Sequence, residues 1–240
     1  AQSLPVSRDG SEPLIRYSGP MIRVDALFAG PPTLVSVGGK PTATGIAKQP
    51  AAELWLEAAG VRGDWVVNRK FHGGSDQAAY LYTSPDARAW AACGLQAGPE
   101  RAYFGENVRL DGLSSADLRP GDRLHLGAVT LEVTAPRFPC AVAAAYLSDA
   151  YAGNFVKDFY ALRLPGIYVR VLQAGPLRLG EGGTLEPLAP AGTPTLAQLT
   201  EMHHQRPEQI GAAPLRRALA APVSERLRTE LQEKLAKLQS

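Results

Sequence analysis

The stretch Arg123-Leu124-His125-Leu126-Gly127-Ala128-Val129-Thr130-Leu131-Glu132-Val133 constrains the fold more than any other part of the chain. Leu124 and Leu126 alternate with polar neighbours before a glycine-containing turn, and Val129, Leu131 and Val133 do so after it. Period-two alternation on both sides of a tight turn is the pattern of a half-buried β-hairpin. Further strands are read over Gly166 to Leu172 and over Asp64 to Val67. Local helices are read over Ala52 to Ala59 and over Pro85 to Ala92, where Pro85 suits a first helical turn. The 24 glycines and 20 prolines among 240 residues exceed average usage by about a half, which disfavours long helices. Short strands at irregular spacing, without regular βαβ repetition, point to a mainly β fold with some α, a β-barrel with inserted helices.

The ends of the chain differ from this middle. Residues 1–20 mix Ser, Arg, Asp, Gly and Pro without an apolar stretch, so they read as a disordered arm or a non-native extension ahead of Met21, and not as a secretory h-region. A barrel domain is expected over 21–190. Glu186 to Pro194 is a linker by composition. Beyond it, over 194–240, Thr195 and Gln198 have capping-box spacing, Arg206-Pro207-Glu208 reads as another helix start, and Leu227, Leu231, Leu235 and Leu238 share one helical face. Three short helices are too few to fold alone, so this tail is expected to pack on the barrel or on a second copy, which leaves a homodimer open.

Charge and cysteine content narrow the function. With 25 basic and 23 acidic residues, a formal charge of +2, the chain lacks the clustered basic surface of a nucleic-acid binder. No apolar run approaches the ~18–20 residues of a membrane span. Two cysteines make no disulfide framework, which points to a reducing compartment, the cytoplasm. Motifs for nicotinamide or flavin binding, P-loops, HExxH and the GxSxG elbow are absent, and His203-His204, being adjacent, cannot form an i, i+4 ligand pair.

Two segments carry candidate chemistry. Cys140 follows Ala135-Pro136-Arg137-Phe138-Pro139, whose prolines hold the backbone extended. Arg137 lies three residues upstream, where its charge favours a thiolate, a soft metal ligand and a nucleophile. A small buried cysteine is the plainer reading, and it is the one adopted for Cys93. In Arg69-Lys70-Phe71-His72-Gly73-Gly74-Ser75-Asp76, two cations precede a histidine and a glycine pair able to present backbone N–H groups to an anion; a tight turn with a solvated basic flank is the alternative. Phe104-Gly105-Glu106-Asn107 by itself reads as a satisfied turn.

Taken in order, Arg69 to Ala78, Phe104 to Asn107, and Pro136 to Cys140, with Gly166 to Val171 following, resemble the MOSC domain, the family named for the C-terminal domain of molybdenum cofactor sulfurases. The helical tail resembles its stand-alone, YiiM-like bacterial subgroup, which confers resistance to N-hydroxylated purine analogues. The resemblance implies a closed, mostly antiparallel β-barrel with surrounding helices. It implies a molybdenum cofactor of the molybdopterin type, with Cys140 as metal ligand and catalytic residue. Arg69, Lys70, His72, Arg137 and Arg170 are then assigned to the anionic pterin phosphate and its surroundings, Gly73 and Gly74 to close backbone approach, and Asn107 to the pterin edge. The function so implied is reduction of N-hydroxylated small molecules (hydroxylaminopurines, hydroxylamines, amidoximes), with electrons from a separate reductase. No pyridoxal-phosphate domain is expected. The alternative is a sulfur or cofactor carrier that uses Cys140 as a persulfide or metal-bound thiolate without turnover; the plainest is a binding barrel in which Cys140 is simply buried.

Overall fold

The computed structural model describes residues 21–69, 72–96, 98 and 100–239; the arm expected over 1–20 and the candidate Lys70 lie outside them. The strands are β1 (Ile22–Ala29), β2 (Thr33–Val37), β3 (Lys40–Thr44), β4 (Gln49–Ala51), β5 (Glu53–Glu57), β6 (Gly60–Val61), β7 (Ala79–Thr83), β8 (Val108–Asp111), β9 (Arg123–Leu126), β10 (Val129–Ala135), β11 (Ile167–Gln173), β12 (Gly175–Arg178) and β13 (Gly182–Glu186). The helices are α1 (Ser84–Ala92), α2 (Ala141–Leu147), α3 (Phe155–Leu162), α4 (Leu196–His204), α5 (Pro207–Ile210), α6 (Ala212–Ala220) and α7 (Glu225–Ala236).

Seven strands form a closed ring in the order β13-β9-β10-β11-β7-β8-β1, completed where β1 pairs β13 through Ile22 and Gly183. The β9–β10 hairpin has the expected register, Leu126 opposite Val129 and Leu124 opposite Leu131, and all four side chains are buried inside. Every pairing of the ring is antiparallel except β7–β8, whose chain connection runs through α1, because parallel neighbours need a crossover. Strand β4 extends the sheet beside β1, while β2–β3 and β12-β5-β6 form smaller sheets.

Three local expectations are overturned. Ala52 to Ala59 is not helical: Leu54 and Leu56 are buried while Glu53 and Trp55 are exposed, and the stretch pairs with β12 as strand β5. The two leucines spaced for one face of a strand outweigh the alanine content around them. Asp64 to Val67 is a loop, with Trp65, Val66 and Val67 exposed. Cys93, read as core, is exposed, because it caps the C-terminus of α1 and leaves the interior to Trp90. Trp90 packs against Phe104, Phe155 and Phe159, with ring centroids 5.5, 5.6 and 6.3 Å away.

Beneath this aromatic cluster the turn at Phe104 is built around a buried charge. Glu106 has no exposed surface; it accepts the N–H groups of Tyr103 and Phe104 at 3.2 and 2.9 Å and pairs with the Arg109 guanidinium. Arg109 also donates to the Arg101 carbonyl at 2.7 Å and lies 4.3 Å from the centre of the Tyr103 ring.

The tail holds four helices rather than three, since Gly211, with φ 78°, separates the single turn α5 from α6. The capping box at Thr195 and Gln198 is formed. Leu196, Leu199, Leu215, Leu227 and Leu231 are buried, and three backbone N–H groups tie the tail to the barrel: Leu196 to the Leu118 carbonyl (2.7 Å), Ser224 to the Thr134 carbonyl (3.1 Å) and Glu225 to the Asp76 carboxylate (2.9 Å). No helix among the described residues is long and apolar enough to cross a membrane.

Candidate functional site

A cleft of about 440 Å³ opens between one end of the barrel, the β2–β3 hairpin, the loop at Trp65 to Asn68, and the tail. Cys140 lines it. The Pro136–Pro139 segment leaves β10 extended, and Cys140 becomes the N-cap of α2, its Sγ accepting the Ala143 N–H at 3.4 Å. The cysteine is partly exposed, so it is neither a plain core residue nor a freely solvated one.

Arg137 is buried on the same wall, 5.0 Å from the centre of the Tyr80 ring. Burial works against its charge, but Tyr168, Tyr80 and a hydrogen bond to the Cys140 sulfur hold its pKa above the ordinary arginine value. A guanidinium thus stands beside the sulfur, where its charge favours a thiolate.

His72 lines the cleft with Gly73, and its Nδ1 is 2.9 Å from the Tyr168 hydroxyl. Burial, then Arg137 and Arg226, depress its pKa from 6.5 to about 3. The fold therefore stabilises the neutral ring: the contribution is complete above about pH 6.5 and is lost as the pH falls toward 3, because the unfolded chain takes up the proton first. In an NMR titration the His72 ring is expected to stay neutral down to about pH 3; protonation near 6.5 would show the pocket to be open to water.

Asn107, expected to face a pterin, lines the cleft but spends its amide on the protein. Its Oδ1 accepts the Tyr80 N–H (3.2 Å), and its Nδ2 donates to the Phe28 carbonyl (3.2 Å) and to Asp64 Oδ2 (3.0 Å). Asn107 thereby fixes Asp64, which forms an ion pair with Lys48 in the cleft wall, both side chains being less than a tenth exposed.

Of the other candidates among the described residues, Arg170, Arg69 and Gly74 are not brought in. Arg170 lies directly across from Glu132 in the β10–β11 register and bridges Glu132 (2.6 Å) and Asp76 (2.8 Å); its charge is taken up in holding the His72–Asp76 loop to the barrel. Arg69 and Gly74 are exposed and line no part of the cleft, Gly74 serving instead as the N-cap, with φ 81°, of the short turn Ser75–Gln77.

Lys48, Asp64, Tyr80, Tyr168, His203, Arg226 and Glu230 also line the cleft, though the sequence alone assigns none of them to a site. Lys48 and Asp64 stand in stretches with no motif spacing, and nothing local marks them. The tail residues are placed by docking: His203 stacks on Phe138 with ring centroids 3.6 Å apart and pairs with Glu230 at 2.7 Å.

The donor set fits the cofactor that the resemblance implies. Among the described residues no cluster of three His, Cys, Asp or Glu side chains could hold a bare metal ion. One cysteine with cations around it suits a metal that arrives with its own sulfur ligands and an anionic tail, and the volume is that of a small-molecule site.

Solved structures share the architecture. YiiM from Geobacillus stearothermophilus superposes with a TM-score of 0.69 at 24% identity, over 89% of this chain and 99% of that one. YiiM from Escherichia coli does so at 0.60 and 20%, over 90% and 93%. In sequence, the chain is 31% identical to the uncharacterized protein YflK of Bacillus subtilis over 175 residues, 72% of this chain and 74% of that protein. It is 38% identical to E. coli YiiM over 109 residues, 42% and 46% of the two. The MOSC domain profile matches residues 68–182, the span from the Trp65–Asn68 loop through Cys140 to the last strand of the ring, and with the same barrel and relatives of this kind the chain belongs to the MOSC domain family.

Proposed function

We propose that the chain binds a molybdenum cofactor in this cleft and reduces N-hydroxylated compounds such as hydroxylaminopurines, hydroxylamines or amidoximes. The observation that carries the reading is the placement of Cys140 beside the buried Arg137 in a cleft that also presents Lys48 and Arg226. When bound, the cofactor supplies two-electron removal of oxygen from an N–O bond. Cys140 would be its protein ligand. Arg137 and Arg226 would balance the charge of the sulfur donors and phosphate, and neutral His72, held against Tyr168, would shape the wall without adding a further cation. The stacked Phe138 and His203 offer an aromatic surface to a flat substrate. Electrons would come from a separate reductase.

The test is turnover of purified, cofactor-loaded protein with reduced methyl viologen and a panel of N-hydroxylated bases and amidoximes. Two viologens oxidised per amine formed is the expected result. Absence of turnover with every member of the panel overturns the reductase, and a sulfane-sulfur adduct on Cys140 in such a preparation would establish the carrier in its place.

A further inference from the structure

Breaking an N–O bond to an amine and water consumes protons as well as electrons, and the cleft contains few groups able to give one. His72 is already neutral, and burial raises the pKa of Tyr80 and Tyr168, so both hold their protons. Arginine does not release a proton in the accessible pH range, and His203 and Glu230 are engaged with each other across the tail, the His203 ring stacked flat on Phe138.

Lys48 differs from all of these. Its side chain is 6% exposed yet lines the cleft, and its Nζ reaches both carboxylate oxygens of Asp64. Asp64 is held in turn by the Asn107 amide, itself fixed by the backbone of Tyr80 and Phe28. The chain Lys48–Asp64–Asn107 thus runs from the cleft into the barrel wall through direct hydrogen bonds. Arg137 and Glu106 are the other charged groups acting on it. Burial first, and Arg137 after it, lower the pKa of the Lys48 ammonium from its ordinary value, against the opposing pull of Asp64 and Glu106.

We propose that Lys48 is the proton donor of the cleft, positioned by Asp64 and Asn107 to protonate the hydroxyl oxygen as it leaves nitrogen; its role depends on the function proposed above. The reaction balances as R–NHOH + 2 e⁻ + 2 H⁺ → R–NH₂ + H₂O. The N–O bond breaks, one proton passes from Lys48 Nζ to the departing oxygen, and the second proton comes from water. The two electrons come from an external low-potential reductant, reduced methyl viologen in the test. Lys48 is left as a neutral amine beside Asp64 and regains its proton from solvent.

The informative variant is Lys48→Arg, which can keep the ion pair with Asp64 but gives up no proton. Molybdenum per chain and KM are expected to stay within about twofold of wild type. kcat is expected to fall by roughly 10²–10⁴-fold, the usual contribution of a general acid, and the fall of kcat at alkaline pH that Lys48 deprotonation causes is expected to disappear. A Lys48→Gln/Asp64→Asn double variant, which replaces the pair with neutral hydrogen-bonding groups, should show the same kcat loss if arginine proves too large to fit. Independently of turnover, ¹³C-methylated Lys48, assigned by its absence from the arginine variant, should titrate below the ordinary lysine value of ~10.4.

An unchanged kcat and pH profile in Lys48→Arg overturns the role of Lys48 while leaving the reductase standing. Loss of molybdenum from that variant makes Lys48 a cofactor anchor and also overturns it, as does titration at or above the ordinary lysine value. A molybdenum-loaded wild type that reduces no substrate overturns the proposed function and the proton donor together.

Discussion

Cys140→Ala, produced beside the wild type in a host that makes the cofactor, is expected to contain no molybdenum where the wild type contains about one atom per chain by elemental mass spectrometry. The fold should survive the change. Cys140 is partly exposed; its sulfur is a long N-cap acceptor for Ala143 and a neighbour of the Arg137 guanidinium, so the loss should lie within the ~0.5–2 kcal/mol measured for removing a cap. A chain of this size shifts by about 2–4 °C in Tm per kcal/mol, and a melting curve within a few degrees of wild type would separate metal loss from unfolding. Reductase activity should fall beyond the ~10–100-fold typical of losing a mere outer partner of a metal ligand. Equal molybdenum in the two proteins would remove Cys140 from the metal's coordination and with it the basis of the proposed function.

The largest effect on stability is expected at the buried turn behind the cleft wall. Glu106→Ala leaves the Arg109 guanidinium buried without its carboxylate and strips the Tyr103 and Phe104 N–H groups of their acceptor. Removing one partner of a buried pair costs about 3–5 kcal/mol, which at this chain length corresponds to a fall in Tm on the order of 10 °C. Scanning calorimetry decides it: a shift of less than about 2 °C would mean that water reaches Glu106 and solvates the charge left behind. The same turn carries Asn107, so the variant should also weaken the support of Asp64 and Lys48.

Where an element's own residues set its structure, the sequence was legible. The β9–β10 hairpin follows from alternation alone, and the capping box at Thr195 follows from two residues at fixed spacing. The MOSC motifs in order led to His72, Gly73, Arg137 and Cys140, which the fold does bring into one cleft. What stayed hidden depends on partners distant in sequence. β5 was masked by alanines around Leu54 and Leu56 until β12 supplied a pairing partner. Arg170 resembled a phosphate ligand because nothing local shows that Glu132 lies across from it. Asn107 had the atoms to read a ligand, but the backbone of β1 and β7 claims them. Arg226 and Glu230 belong to the site only through the angle at which the tail docks, and an amphipathic helix reports which face it buries but not against what.

The ring of strands has a consequence for the order of events during synthesis. It closes only when β13 meets β1, Gly183 against Ile22; β4 covers Leu27 to Ala29 of that edge early, but the Ile22–Arg23 end of β1 must wait for nearly the whole barrel to be translated, a pairing of high contact order and correspondingly late formation. The wall formed by His203, Arg226 and Glu230 is later still. A nascent chain paused anywhere before α7 therefore has no finished cleft, and any ligand that depends on all its walls can be taken up only once α7 has been made and docked.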